Sequence, residues 1–311
     1  MDYIIDSSIK NNIEKSITKY KRSNSRLSFG LIYEDKIIIN GDNDIYDIGS
    51  ISKVFTSLLF LEMNDNHIID INDRIDKYID LPEGTYPSLK QLLSHETGYY
   101  HLTPIGITFF PLLFHRYKNN NVYDNVNEEM IVKEIIKRKK RNSYNYGYSD
   151  FSYAILAIIA TKVYKKPFNE IMNDYLKRVG LSNSVCIDDN IERISKKNWK
   201  WNIDNPYIAA GGIASNINDM VKFIEYEFTR TDNKEFEYNK NHNLTYFTTK
   251  KGNLYWHVGG VGYFRSAMLI NPKRKIGVVV LGNNIGRRGS NPYYLSKLLY
   301  TAIRRNKIIF R

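Results

Sequence analysis

The chain has almost nothing with which to staple itself. Its 311 residues include one cysteine, Cys186, which excludes an intrachain disulfide framework and any all-cysteine zinc site. Cys186 sits in the apolar run Val185-Cys186-Ile187 and reads as a packed, inert thiol. Long hydrophobic runs are also missing. The longest, Ile105 to Phe114, is too short to cross a bilayer and holds Pro111, so no membrane span is expected. The opening residues, MDYIIDSSIKNNIEK, lack the basic and apolar regions of a secretion signal. With Met1 as the true start the expected location is cytoplasmic; a leader removed before this numbering would make the protein exported. Metal-ligand spacings are absent too. His67, His101, His115 and His242 form no ligand pattern, and His95 reads as part of a structural turn. Asp70-Ile71-Asn72-Asp73 imitates a calcium loop without its glycine or its closing glutamate. Neither an internal repeat nor a low-complexity linker divides the chain.

What is present is length and positive charge. The length suits one large domain or two modest ones with a sizeable core, and a 42% hydrophobic content suits a globular protein. Lysine and arginine outnumber aspartate and glutamate 45 to 33, a net charge of +12. Such a surplus raises the prospect of an anionic partner. However, the chain is rich in Lys, Asn, Ile and Tyr, a composition that AT-rich codons give without selection for binding. The densest basic run, Lys137 to Arg141, continues the amphipathic pattern Ile131-Val132-Ile135-Ile136 and reads as the solvated end of a helix. No nucleic-acid-binding signature accompanies it, and no nucleic-acid partner is expected.

Ile9, Ile13, Ile17 and Tyr20 predict an amphipathic helix over residues 6–22. Leu27 to Tyr33 and Lys36 to Asn40 predict a hairpin through Glu34-Asp35. A helix follows Gly49. Residues 67–204 lack strand alternation, with helical patterns at Leu89–Ser94, Glu128–Lys137 and Phe151–Tyr164, and a polar loop at Asn119–Asn127. Strands return at Leu244–Thr249, Leu254–Val258, Tyr263–Ile270 and Ile276–Leu281, with turns at Lys251-Gly252-Asn253 and Asn271-Pro272-Lys273, before a closing helix at Tyr293–Arg304. Strands near both termini around a helical middle imply an α+β fold with one sheet built from both ends. The expected division is a discontinuous sheet unit, 1–66 with 205–311, and a helical unit, 67–204, with the active site in the cleft between them.

Three short motifs carry the chemistry. Ser50-Ile51-Ser52-Lys53 is one of three Ser-x-x-Lys matches, the others running from Ser7 to Lys10 and from Ser16 to Lys19. Only this one follows a strand and opens an apolar helix. Three residues put Lys53 one turn from Ser50 on the same face, and the helix N-terminus directs N–H groups at that spot. A nucleophile, a base and an oxyanion donor then come from four residues. By position alone Ser50 is a helix cap. Tyr148-Ser149-Asp150 precedes the helix Phe151–Tyr164. Its competitor, Tyr123-Asp124-Asn125, lies in a polar loop with no apolar helix after it, and Tyr123 is discounted as a catalytic residue. A tyrosine base needs its pKa brought from about 10 to near 7, roughly 4 kcal/mol, with Lys53 as the cation that supplies it. Among 25 tyrosines a packing role is the ordinary one. His257-Val258-Gly259-Gly260 lies on a strand, where the glycine pair lets a substrate backbone approach and Gly260 N–H can point at an oxyanion. A lone strand histidine is otherwise a hydrogen-bonded packing residue.

These motifs, in this order, resemble the class C β-lactamase and penicillin-binding serine hydrolase superfamily. The flanks carry the likeness further: Ile48 to Thr56, Leu92-Leu93-Ser94-His95-Glu96-Thr97-Gly98, Tyr153 and Leu156, Gly180-Leu181, Ala209 to Ser215 with Asp219, Gly259 to Phe264 with Pro272, and Gly277 to Leu281 with Asn283. The resemblance spans about residues 25–285. It implies a β-lactamase/transpeptidase-like fold with Ser50 as the acylated nucleophile and Lys53 as proton acceptor or relay. Tyr148 would be the general base in acylation and the activator of water in deacylation. His257 would orient substrate or assist proton transfer, and Ser50 and Gly260 N–H would form the oxyanion hole. No metal or organic cofactor is required.

Two positions depart from the family pattern. His257 replaces a lysine, which removes a fixed charge for a substrate carboxylate and lowers the weight of β-lactamase activity. Asp150 stands where asparagine is usual and either pairs with Lys53 or reads a donor on the substrate, with Gly259 beside it as a binding residue. The expected activity is hydrolysis of a small ester, amide or peptide through an acyl-serine. The alternatives are a penicillin-binding DD-peptidase or weak β-lactamase, and a non-hydrolysing penicillin-recognising protein. The expected partner is the small-molecule or peptide substrate; oligomeric state is not legible in the chain.

Overall fold

The computed structural model describes residues 3–5, 7–20, 25–99, 121–138, 145–187, 199–230, 244, 246–248, 254–283 and 291–310. Among them, β1 (Tyr3–Ile5) precedes helix α1 (Ser7–Tyr20), and strands β2 (Leu27–Tyr33), β3 (Lys36–Asn40) and β4 (Tyr46–Asp47) follow. A 3-10 turn, Gly49–Ile51, leads directly into α2 (Ser52–Asp65). Then come α3 (Leu89–Leu93), α4 (Glu128–Lys137), α5 (Asp150–Tyr164), α6 (Phe168–Arg178), β5 (Val185–Cys186), α7 (Ile208–Gly211), β6 (Ile213–Ser215) and α8 (Ile217–Thr229). The last elements are β7 (Phe247–Thr248), β8 (Tyr255–Val261), β9 (Phe264–Asn271), β10 (Ile276–Gly282), α9 (Pro292–Arg304) and β11 (Ile308–Phe310).

The main sheet has six strands in the order β3-β2-β10-β9-β8-β7, all antiparallel. It is therefore built from both ends of the chain, as the strand pattern predicted. β10 is buried along its whole length because both of its faces are covered. On one face Ile13 and Tyr20 of α1 and Leu295, Leu299 and Ile303 of α9 pack with Phe29, Leu31, Val278 and Val280 in one apolar cluster. On the other face lies α8. Its approach depends on two glycines: a Cβ on Gly30 would lie 2.2 Å from Val221, and one on Gly277 2.5 Å from Ile224. These glycines bring the helix close enough to bury Val221 and Ile224 fully.

Helix α2 runs through the core. Eleven of its residues are buried, among them Val54, Phe55, Leu58, Leu59 and Phe60, so it is apolar all round rather than on one stripe. Truncating Leu59 to alanine would cost about 2–5 kcal/mol. Side chains lock its position: Ser52 Oγ accepts from Ile213 N at 3.1 Å, and Thr56 Oγ1 donates to Ala209 O at 2.9 Å.

Caps define the other helices. Ser88 and Gln91 form a reciprocal capping box on α3, and Asn127, Ser149 and Asn216 cap α4, α5 and α8. The expected helices at Leu89–Ser94, Glu128–Lys137 and Phe151–Tyr164 agree with α3, α4 and α5 to within a residue. Two expectations need correction. The middle of the chain was read as free of strands, yet β5 lies there, pairing with β6 beside β4 in a small second sheet. Two residues are too short to produce a visible alternation. Of the strand expected over Leu244–Thr249, Phe247–Thr248 forms β7, whereas Leu244 and Tyr246 are not in a strand and residues 245 and 249 lie outside the described residues. The turn at Lys251-Gly252-Asn253, the run Ile105–Phe114, and His101, His115 and His242 lie outside the described residues. Cys186 is buried and unpaired, and burial pushes its thiol up to about 12, which keeps it inert.

Candidate active site

Ser50 is held where the 3-10 turn meets β8. Gly49 takes a φ of +55°, and a Cβ there would lie 2.5 Å from the amide nitrogen of Gly260. At Gly259 a Cβ would sit 1.9 Å from Ile48 O. Ser266 Oγ, from β9, donates to the same carbonyl at 2.7 Å. The turn and the strand thus touch backbone to backbone, and only glycine fits on either side of the seam. This brings the Ser50 and Gly260 backbones to one place, the pair expected to form an oxyanion hole.

Lys53 lies one turn along, fully buried. Its ammonium donates to Ser50 Oγ at 3.0 Å and to Ala210 O at 2.7 Å, and it pairs with Asp150 Oδ1 at 2.7 Å. A buried ammonium needs such partners, because desolvation without them costs several kcal/mol. Asp150 receives a second anchor: Tyr123 Oη donates to its Oδ2. Asp150 is thereby turned to Lys53 and Tyr123, the first of the two roles expected for it. It is buried and does not line the cleft. Tyr123 is itself fixed by stacking on Tyr207, with ring centroids 4.0 Å apart and planes within 6°. The sequence reading had set Tyr123 aside, because a polar loop with no following helix gives no sign of what it folds against.

Tyr148 stands directly before α5, whose cap Ser149 accepts from Ser152 N at 3.0 Å. His95, with a φ of +59°, accepts from Ser149 N through Nδ1 at 3.1 Å, and its ring lies 4.6 Å from that of Tyr148. The histidine read as a turn residue therefore positions the second motif. The phenol is hydrogen-bonded with Ser50, and the Lys53 ammonium sits 5.1 Å from its ring centroid. Burial raises the Tyr148 pKa well above 10, and the Asp150 charge adds to this, while the Ser50 hydrogen bond works the other way. This burial opposes the drop toward neutrality that a phenolate base needs, and Tyr148 is held as a neutral phenol.

His257 is buried beneath the cleft, its ring 6.3 Å from Tyr148 and 5.2 Å from Phe247. Burial, with the charge of Lys53, lowers its pKa to about 3. The imidazole is neutral at physiological pH. Its Nδ1 lies 2.9 Å from Val258 O, and since a carbonyl only accepts, Nδ1 carries the proton and Nε2 is the bare nitrogen.

Ser50 and Tyr148 open onto a cleft of about 670 Å³, with Lys53, Asp150 and His257 buried behind them. Ser50, Tyr148, Gly259 and Gly260 line one part. Phe247, Trp256 and Tyr293 form an aromatic wall, with Phe247 stacked on Tyr148 at 5.7 Å and on Trp256 at 4.7 Å. The wall and Arg265, which also lines the cleft, were not singled out from sequence: Trp256 and Arg265 had only the two-residue alternation along β8 and β9, and Phe247 on β7 and Tyr293 on α9 had no signal. Among the described residues no cluster of three or more His, Cys, Asp or Glu side chains could hold a metal ion, and no helix is long and apolar enough to cross a membrane.

Comparison with known proteins bears on the family and the fold. Residues 35–295 match the family described as Beta-lactamase. A teichoic acid D-alanine hydrolase from Staphylococcus aureus is 28% identical over 241 residues, which cover 71% of this chain and 56% of the relative. The chain thus spans about half the length of the curated relatives it matches. An octameric penicillin-binding protein homologue from Pyrococcus abyssi superposes with a TM-score of 0.74 at 18% identity, covering 96% of this chain and 77% of the other. A class C β-lactamase from Rhodobacter sphaeroides superposes with a TM-score of 0.73 at 14% identity, covering 95% and 98%. The fold is α+β and β-lactamase/transpeptidase-like.

Proposed function

The chain belongs to the beta-lactamase family, and from that premise we propose that it is a serine hydrolase acting on esters or amides through an acyl-enzyme on Ser50. One observation carries this reading: beneath the cleft the buried Lys53 ammonium reaches Ser50 Oγ at 3.0 Å and is held there by Asp150 at 2.7 Å. The neutral state of Tyr148 shapes the steps. Ser50 Oγ bonds to the substrate carbonyl carbon as its proton passes to Tyr148 Oη, and the phenol's own proton passes to the leaving oxygen or nitrogen as that bond breaks. No free phenolate accumulates in such a relay. In the second half, water attacks the acyl carbon, its proton goes to Tyr148, and the Tyr148 proton returns to Ser50 Oγ as the acid leaves. Lys53 stays charged throughout and stabilises the developing negative charge on Oγ. The N–H groups of Ser50 and Gly260 receive the carbonyl oxygen. Neutral His257 packs beneath Tyr148 and orients the substrate side of the strand.

For the substrate we propose a D-alanyl ester, on the likeness to the staphylococcal relatives named for D-alanine removal from teichoic acid. The test has two parts. Hydrolysis of matched D- and L-alanyl esters reads the chemistry and its handedness, with Ser50→Ala as control. Intact mass after addition of a penicillin reads the nucleophile, with an adduct expected on the wild type alone. A persistent adduct with no ester turnover would replace the esterase reading with a slowly deacylating, DD-peptidase-like one. Ester hydrolysis retained by Ser50→Ala would remove the assignment altogether.

A further inference from the structure

The third motif supplies no charge to the cleft, since His257 is neutral and buried. The cleft nevertheless has one. Of the described side chains that line it, Arg265 alone is charged. Arg265 sits on β9 between two glycines, Gly260 of β8 and Gly282 of β10, its cross-strand partners in the sheet. Gly260 has no side chain to cover it; the space over Gly282 is filled by Tyr20, whose Oη lies 2.1 Å from where a Cβ would be, so the guanidinium is open on the Gly260 side. Its Nη1 lies 3.3 Å from where a Cβ on Gly260 would be, so the guanidinium rests directly on the expected oxyanion residue.

Its position is fixed rather than mobile. Nη1 donates to Gly262 O at 2.9 Å and to Phe264 O at 2.6 Å, clamping the turn between β8 and β9. Nε and Nη2 donate to none of the described residues, and no described carboxylate pairs with the group. Half-buried and beside Trp256 and Tyr293, a guanidinium without a counter-ion is costly, and burial lowers its pKa accordingly while leaving it charged near neutral pH. The start of the 13-residue helix α9, capped by Asn291, opens into the same cleft and adds its positive end. Asp150, the nearest carboxylate of the catalytic group, is already taken by Lys53 and Tyr123.

We propose that Arg265 forms an anion-binding subsite beside the acylated carbonyl, taking a carboxylate or phosphate group of the substrate through its Nε and Nη2 donors. A planar fork with two outward N–H groups matches both anions bidentately. The inference rests on the hydrolase reading for its purpose, though not for its physical basis.

The experiment uses alanyl phenyl esters whose leaving group carries, at one ring position, a carboxylate, a phosphate or a neutral carboxamide. The wild type should favour at least one anionic ester over the carboxamide about tenfold in kcat/KM, the scale of one charge-assisted pair. The ratio for each anion tells carboxylate from phosphate recognition. Arg265→Gln should bring the ratio close to one, and Arg265→Lys, which keeps the charge without the fork, should restore part of it. An unchanged ratio in Arg265→Gln, or no preference in the wild type, overturns the proposal. Because Arg265 also clamps a turn, thermal melts accompany each variant; if the glutamine protein does not fold, the partial selectivity of the lysine protein decides. If no ester is hydrolysed, the hydrolase reading fails by itself. Calorimetric binding of the same three esters to Ser50→Ala, with and without Arg265→Gln, then judges the subsite independently: tighter binding of an anionic ester that is lost with Arg265 supports it, and equal binding rejects it.

Discussion

Lys53 is a cation buried among uncharged groups, with Asp150 as its sole ion-pair partner among the described residues. Such a pair contributes little net stability, but removing one member leaves the other buried and unpaired, at about 3–5 kcal/mol. The pair therefore fixes a charge state rather than adding strength. Tyr123 extends it by one hydrogen bond. Replacing Tyr123 with phenylalanine removes one donor from Asp150 Oδ2. We expect a loss of about 1–3 kcal/mol in denaturant unfolding and a severalfold fall in kcat with KM little altered. A Tyr123→Phe protein with full kcat would show that Asp150 needs no such anchor. Ser50 bears no comparable structural duty: its side chain caps no helix. Ser50→Ala should abolish ester hydrolysis and shift the melting temperature by little, within the usual ±0.5 kcal/mol of a mild substitution.

At the scale of elements, the candidate active site rests on a seam between the Gly49–Ile51 turn and β8. Both backbones come closer than any side chain allows, so the seam is a constraint on residue type. Gly259→Ala would drive a methyl into Ile48 O, 1.9 Å away, and push β8 off the turn. The expected result is loss of activity together with a large drop in melting temperature. Gly180→Ala is the contrasting case. With a φ of +81° and nothing within 4 Å, it costs only backbone strain of about 1–2 kcal/mol, and activity should survive. Equal activity losses in the two variants would argue against a special role for the seam. Helix α2 explains why Ser50 stays put on the other side. Ser52, Lys53 and Thr56 are all tied to the stretch Ala209 to Ile213. The sequence marked that stretch as a family feature without indicating that the Ala210 carbonyl holds Lys53.

Across the whole molecule, His257 links the site to stability. Its folded pKa, about 3, lies below the ordinary 6.5, so the unfolded chain binds a proton that the fold refuses. Stability from this group is complete above pH 6.5 and is lost as the pH falls toward 3, at about 1.4 kcal/mol per pH unit. His257→Gln should flatten this acid limb in melts between pH 6.5 and 4. Parallel pH profiles for the two proteins would mean that His257 does not stay neutral on acidification. Asp73, held low by Lys77 and Tyr78, adds an acid limb of its own, but equally in both proteins, so the difference isolates the histidine.

Much of this was determined by the sequence alone. The 2-residue and 3.6-residue periodicities placed β2, β3, β9, β10, α4 and α5, because alternation and helical spacing record which face a residue buries. Ser50, Lys53, Tyr148 and Gly260 were legible because a nucleophile and base one helical turn apart, and glycines beside a strand, are local patterns. Only the tertiary structure decided what those groups experience. The partnership of Asp150 with Lys53 and Tyr123, the neutrality of Tyr148 and His257, and the lone charge of Arg265 in an aromatic cleft depend on desolvation and on contacts between segments far apart in the chain. Charge states respond to the groups that surround them in space, and a linear chain does not list its neighbours.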